Sequence, residues 1–184
     1  MAIVTNRTLI VPYSESFQSE FLLLNCCSVN RAEMNGPHTL KSAKALFADV
    51  LTNPNSHCMA VLDNSTREYM GHICVSNLDS NPELVFIFDS AFWGKGIATE
   101  ALRAFFPRFC EEMNLSSVTA SVNIDHHASI SILNKLGFER IGQKSDQFGP
   151  YYQFALGVDL LERQEIFLNQ SVRGSENAKE ASLW

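Results

Sequence analysis

The chain has 184 residues, 46% of them hydrophobic and 18% charged, which suits one globular domain with a full core and excludes a chain disordered throughout. A formal net charge of −6 argues against a general nucleic-acid or anionic-membrane surface, since both need clustered positive charge, and it is compatible with a cationic substrate such as an amine. The apolar runs FLLLN and LVFIF are too short to span a bilayer, and MAIVTNRTLIVPY has no basic start followed by an apolar stretch, so a cytoplasmic protein without a signal peptide is expected.

In chain order, TLIVP over residues 8–12 reads as a first strand. Ser14 and Ser16 can cap a helix that carries Phe17, Phe21, Leu22 and Leu24, and VNRAEMNGPH, without a period, reads as a loop. Thr39 is an N-cap for a second helix with Leu40, Ala43, Phe47, Val50 and Leu51 at helical spacing, stopped by TNPN. HCMAVLD and YMGHICVSN, split by NSTRE, form a hairpin, and ELVFIFD is the next strand. Ile97, Ala101, Phe105 and Phe109 then recur every four residues in a long helix that Pro107 should kink. SSVTASVN is a strand, Ala128–Leu136 a short helix closed by Gly137 at C′, and FERIGQK and YYQFALGVD are the last two strands.

Residues 159–172 suit a terminal helix on Leu160, Leu161, Ile166 and Phe167, and 173–184 a polar tail, so residues 1–172 are expected to form one domain. The order β-α-α-β-β-β-α-β-α-β-β predicts an α/β fold of mixed strands with helices on the sheet faces. The last strand and the 160–167 segment carry apolar positions without an evident partner, which suggests a homodimer. The five cysteines, Cys26, Cys27, Cys58, Cys74 and Cys110, are odd in number and show no CxxC spacing, so reduced, mostly buried thiols and no metal site are expected.

The chemistry concentrates in ELVFIFDSAFWGKGIATEALRAFF, where a strand ends, two glycines follow at a spacing of two, and a long helix begins. Gly94 and Gly96 let the backbone turn tightly and approach a ligand, and the first helical amides have no internal partners. With the helix dipole, this favours a phosphate or pyrophosphate. A tight connection without a ligand is the bland alternative. Thr99 stands where a dinucleotide fingerprint needs its third glycine, and no GxxxxGK[ST] is present, which leaves the pyrophosphate of coenzyme A.

At this point the sequence resembles the GNAT acetyltransferases, which carry Q/R-x-x-G-x-G/A between their fourth strand and third helix. Here the segment reads Trp93-Gly94-Lys95-Gly96-Ile97-Ala98, and GKGIATEAL looks very like the Rim-type, ribosomal-protein-acetyltransferase-like branch. Downstream, His126-His127-Ala128-Ser129 and Leu136-Gly137-Phe138 match that branch's N-x-x-S and L-G-F, with His126 in place of the usual Asn and Trp93 in place of Arg or Gln. The resemblance covers residues 7–158 in element order and is specific over 84–138. It implies a mostly antiparallel twisted sheet of about seven strands flanked by about four helices. It also implies acetyl-CoA as cosubstrate and a small-molecule or peptide amine as acceptor; the net charge argues against nucleic acid and membrane, and no ligand spacing supports a metal.

By the same resemblance, backbone amides of Phe86, Ile87 and Phe88 would hold the developing oxyanion, and Trp93, Gly94, Lys95, Gly96, Ile97, Ala98 and Thr99 would bind coenzyme A, with Ser129 also at the coenzyme. Leu133 stands where many members have an acid tyrosine, so Ser129 would protonate the leaving thiolate. His126, His127 and Asp146 are candidate bases, the imidazoles because they titrate near neutrality. The departures at His126 and Leu133 leave a second reading, a degenerate domain that binds CoA as a sensor or interaction module. Gly94-x-Gly96 leaves a third, a nucleotide-binding oxidoreductase.

Overall fold

The computed structural model describes residues 2–157. The expected helix over 159–172 and the tail over 173–184 lie outside the described residues. Strands β1 (Ile3–Val4), β2 (Thr8–Pro12), β3 (Ser56–Asp63), β4 (Tyr69–Ser76), β5 (Glu83–Phe88), β6 (Ser117–Asn123), β7 (Glu139–Asp146) and β8 (Gly149–Gly157) form one sheet in the order β1-β2-β3-β4-β5-β6-β8-β7. Every pairing is antiparallel except β5 with β6. The helices are α1 (Gln18–Cys26), α2 (Leu40–Thr52), α3 (Ile97–Met113) and α4 (His127–Lys135).

The architecture follows the expected order, with the two-residue β1 as an extra strand. Local signals account for most boundaries. Thr39 Oγ1 accepts from the amide of Ser42 at 3.1 Å and starts α2. Gly137, at φ 86°, lets Phe138 donate to the Leu133 carbonyl at 3.0 Å and ends α4. α3 runs through Pro107 without interruption. Its stripe Ile97, Ala101, Leu102, Phe105, Phe106 and Phe109 is buried against one sheet face, where Phe105 and Phe109 stack at 4.8 Å. α1 and α2 cover the other face and bury Phe21, Phe47 and the imidazole of His72. Burial pushes that imidazole down to about 3, with Arg31 adding to the shift, so it is neutral and hydrogen-bonded to Tyr13 Oη at 3.0 Å.

β8 lies between β6 and β7, and its Phe154 and Leu156 are buried in the core, while the 160–167 segment lies outside the described residues. One expectation is corrected. The cysteines are not all reduced: Cys58 and Cys74 form a disulfide across the β3–β4 hairpin. Their positions are directly opposed in the register, with Cα atoms 4.1 Å apart, a proximity that no sequence spacing announces. Of the other three thiols only Cys110 is buried, and burial pushes it up to about 11.

The bond closes a loop of sequence separation 16, so under non-reducing conditions Cys58→Ser with Cys74→Ser is expected to cost about 3 kcal/mol on the chain-entropy account. Denaturant unfolding with and without reductant checks this. A parent whose stability does not respond to reductant would show that the bond contributes nothing.

Candidate active site

The site begins where two parallel strands part. β5 and β6 are in register only at Glu83 and Thr119, where Thr119 donates to the Pro82 carbonyl through both its amide (2.8 Å) and its hydroxyl (3.0 Å). Beyond that vertex the strands diverge, and the edge of β5 from Leu84 to Phe88 has no partner strand on this side. The divergence leaves room for two adjoining cavities, of about 850 and 500 Å³.

The larger cavity runs along the end of β5, the glycine turn and the start of α4. It is lined by Phe86, Ile87, Phe88, Trp93, Gly94, Gly96, Ile97, Ala98, Thr99 and Ser129, so these sequence candidates are brought together. Gly94 and Gly96 sit at φ 71° and 74°, where a side chain is strained, and a Cβ on Gly94 would project into open space. Among the described residues the amides of residues 94–99 have no acceptor, and the first helical bond is Glu100 N–H to the Gly96 carbonyl at 3.1 Å. A run of unsatisfied donors at the positive end of a 17-residue helix fits a pyrophosphate.

Lys95 is not among the residues lining this cavity; its ammonium donates to the Ala91 carbonyl at 2.8 Å. Trp93 lines the cavity, half exposed, and its indole donates to the Phe88 carbonyl at 2.8 Å.

The smaller cavity opens on the α1–α2-loop side of the sheet, over Glu83, Val85, Thr119 and Ser121, with Asp146 and Phe148 at its rim. Five residues line both cavities: Glu33, Met34, Phe86, His126 and Ser129. At this junction Ser129 Oγ, 8% exposed, is hydrogen-bonded to His126 Nε2 at 3.2 Å, so two of the four catalytic candidates are partners, while His127 lines the larger cavity alone. The hydroxyl is therefore turned to an imidazole, and none of its hydrogen bonds caps the helix backbone. Burial holds His126 below the ordinary histidine range; Glu33 opposes this, while His127 adds to it, so the imidazole is neutral at pH 7. Asp146, the remaining candidate, stands at the smaller cavity away from the junction, and its carboxylate accepts from the Phe148 amide at 2.8 Å. Leu133 is fully buried in the core.

Three functional features carry no local sequence signal. Glu33 and Met34 reach the junction from the loop between α1 and α2. Asn30 ties that loop to the end of β5 by donating to Asp89 Oδ2 at 3.0 Å and accepting from the Ser90 amide at 2.9 Å. Arg7, in the β1–β2 turn, pairs with Glu100 at 2.6 Å and donates to the Lys95 carbonyl at 2.7 Å, which clamps the glycine turn. Partial burial pushes the Glu100 carboxyl up, but hydrogen bonds from Thr5 and Arg7 outweigh it and hold the group below the usual carboxylate range.

A sheet parted at one parallel pair, with a glycine turn and the start of a long helix beside the opening, defines an acetyltransferase fold of the coenzyme A-dependent class. The Acetyltransferase (GNAT) domain family matches residues 7–139, and the chain belongs to that family, whose reaction moves an acyl group from acetyl-CoA to an amine. The chain is 24% identical over 165 residues to the uncharacterized N-acetyltransferase YnaD of Bacillus subtilis (strain 168), covering 85% of this chain and 96% of the relative. In structure it is similar to RimL, the ribosomal L7/L12 alpha-N-protein acetyltransferase in complex with coenzyme A: TM-score 0.73, 14% identity, 86% of this chain and 99% of the other. It is similar too to the Vibrio cholerae spermidine N-acetyltransferase in complex with CoA and spermine: TM-score 0.71, 12% identity, 85% and 99% coverage. Among the described residues no helix is long and apolar enough to cross a membrane.

Arg7→Ala should free the glycine turn and leave the Glu100 carboxylate unneutralised beside the phosphates. The Kd for coenzyme A is expected to rise about tenfold, the worth of one charged hydrogen bond, and Arg7→Ala with Glu100→Gln should recover part of the loss. Calorimetric titration of both variants checks this; an unchanged Kd in Arg7→Ala would rule out the clamp.

Proposed function

We propose that the protein acetylates an amine of a cationic substrate, whose nitrogen gives its ammonium proton to solvent and then attacks acetyl-CoA directly as the free amine, with the coenzyme in the larger cavity and the acceptor in the smaller. The observation that carries this reading is the junction: the two cavities meet at a buried hydroxyl paired with a half-buried imidazole, where a thioester and an amine would have to meet. Positioning both reactants there supplies much of the rate. Amides of Phe86 to Phe88, on the unpartnered edge of β5, would stabilise the developing oxyanion.

His126 and Ser129 would move the proton. With its own proton on Nε2, the imidazole donates to Ser129 Oγ and offers Nδ1, which makes no hydrogen bond to the described residues, to the attacking nitrogen. As the new C–N bond forms and the C–S bond breaks, Nδ1 takes the proton that the nitrogen loses, Nε2 passes its proton to Oγ, and Oγ passes its own to the leaving sulfur. The products are the amide and the free thiol of coenzyme A. Ser129 remains a hydroxyl and His126 remains neutral, so no charge is stranded in the junction.

The acceptor's charge follows from the lining of the smaller cavity. Glu33, Glu83 and Asp146 line it, and the described residues place none of them in an ion pair. Its one Lys or Arg, Arg31, spends its guanidinium on the Met34 and Gly36 carbonyls and on Asn25 Oδ1. Such a wall favours ammonium groups over carboxylates. The spermidine enzyme and RimL, similar in fold, are named for cationic and N-terminal amines, which supports a search among both.

Ser129→Ala is expected to lower kcat about 10²-fold or more while leaving the Kd for acetyl-CoA nearly unchanged. A hydroxyl serving only the fold would instead cost about 1 kcal/mol of stability with kcat intact. Steady-state kinetics and a melting curve on the one variant separate the two outcomes.

A further inference from the structure

We infer that Glu33 receives the acceptor, its carboxylate binding the N–H groups of the attacking amine at the junction beside His126. The inference rests on the acyl-transfer reading above. Four carboxylates line the two cavities: Asp125 belongs to the larger alone, Glu83 and Asp146 to the smaller alone, and Glu33 to both. It is therefore the one acidic group that meets both reactants. It is exposed and makes no ion pair among the described residues, so its charge is available to a ligand.

The loop that carries Glu33 is held from both ends. Arg31 donates to the Gly36 carbonyl at 2.8 Å, to the Met34 carbonyl at 2.9 Å and to Asn25 Oδ1 at 3.2 Å, closing the loop on itself and on α1. Asn30 fastens its start to Asp89 and Ser90 at the end of β5. A carboxylate on a tethered loop can orient a ligand at lower entropic cost than one on a free loop. The chemistry suits the place. As the C–N bond forms, the nitrogen becomes cationic before it loses its proton, and an adjacent carboxylate stabilises that charge more in the transition state than in the bound amine.

Two charged or titratable groups bear on His126: Glu33 from the α1–α2 loop, which raises its proton affinity, and His127 from α4, which lowers it. Removing the Glu33 charge should therefore move the His126 titration to lower pH. Because His126 acts here as the neutral base, activity is lost as pH falls through its titration, and the acid limb of kcat/KM should shift down with it.

The experiment compares the parent with Glu33→Gln and Glu33→Asp. The acceptors are spermidine, L-lysine, an Ala-starting peptide and a Ser-starting peptide, with kinetics measured across pH and acetyl-CoA affinity measured separately. In Glu33→Gln, KM for the best acceptor should rise about tenfold or more, the Kd for acetyl-CoA should stay within about twofold, and the acid limb should move to lower pH. Glu33→Asp should recover part of the loss. An unchanged acceptor KM, an unmoved acid limb, or equal losses for acetyl-CoA and acceptor with a lowered Tm would overturn the role of Glu33. A parent that transfers acetyl to none of the four acceptors would instead overturn the acyl-transfer reading, and this inference with it.

Discussion

The structure depends on one broken pairing. β5 and β6 run parallel and hold each other at a single point, Glu83 opposite Thr119, pinned by two hydrogen bonds from Thr119 to the Pro82 carbonyl. A sheet normally satisfies every backbone group on a central strand, so a central strand left open must serve something else. The core holds β5 in place from its other side: it pairs with β4 along its whole length, and Leu84 and Phe88 are buried under α3. At Gly71 the two strands come so close that a Cβ would meet Phe88 Cα at 2.8 Å. One edge of β5 is thus rigid and paired while the other faces the cleft, and the two cavities follow from that asymmetry.

Electrostatics divide the cleft. At the glycine turn the free amides and the α3 dipole present partial positive charge, and Glu100, the one acidic residue of the first turn, is neutralised by Arg7 and hydrogen-bonded by Thr5. The carboxylates of the smaller cavity make no ion pair among the described residues. On the proposed assignment an anion would be directed to the larger cavity and a cation to the smaller, with the neutral His126–Ser129 pair between them. The α1–α2 loop spans both halves, since Asn30 bonds the end of β5 while Glu33 and Met34 line the junction. Changes in this loop should therefore be felt by both reactants.

What was legible in the sequence was local. The helical stripes of α2 and α3, the Thr39 cap, the Gly137 stop and the Gly94–Gly96 turn each depend on residues within a turn or two, and each lies where the pattern puts it. Ser129 was readable because its motif is continuous with the helix start. What escaped depends on contacts between distant segments. The Cys58–Cys74 bond needs the register of a hairpin, Arg7–Glu100 joins residues 93 positions apart, and Glu33 sits in a loop without a period. The partnership of His126 with Ser129 is not visible in either residue alone: the helix start brings residues three apart onto one side and lets the imidazole reach the hydroxyl.

The central claim is that the two cavities are the two halves of one acyl-transfer site that meets at Ser129. A crystal structure of the protein with coenzyme A tests it most directly. The account predicts the pyrophosphate on the amides of residues 94–99 and the thiol sulfur within hydrogen-bond reach of Ser129 Oγ. A coenzyme bound elsewhere, or one whose sulfur points away from the His126–Ser129 pair, would contradict it.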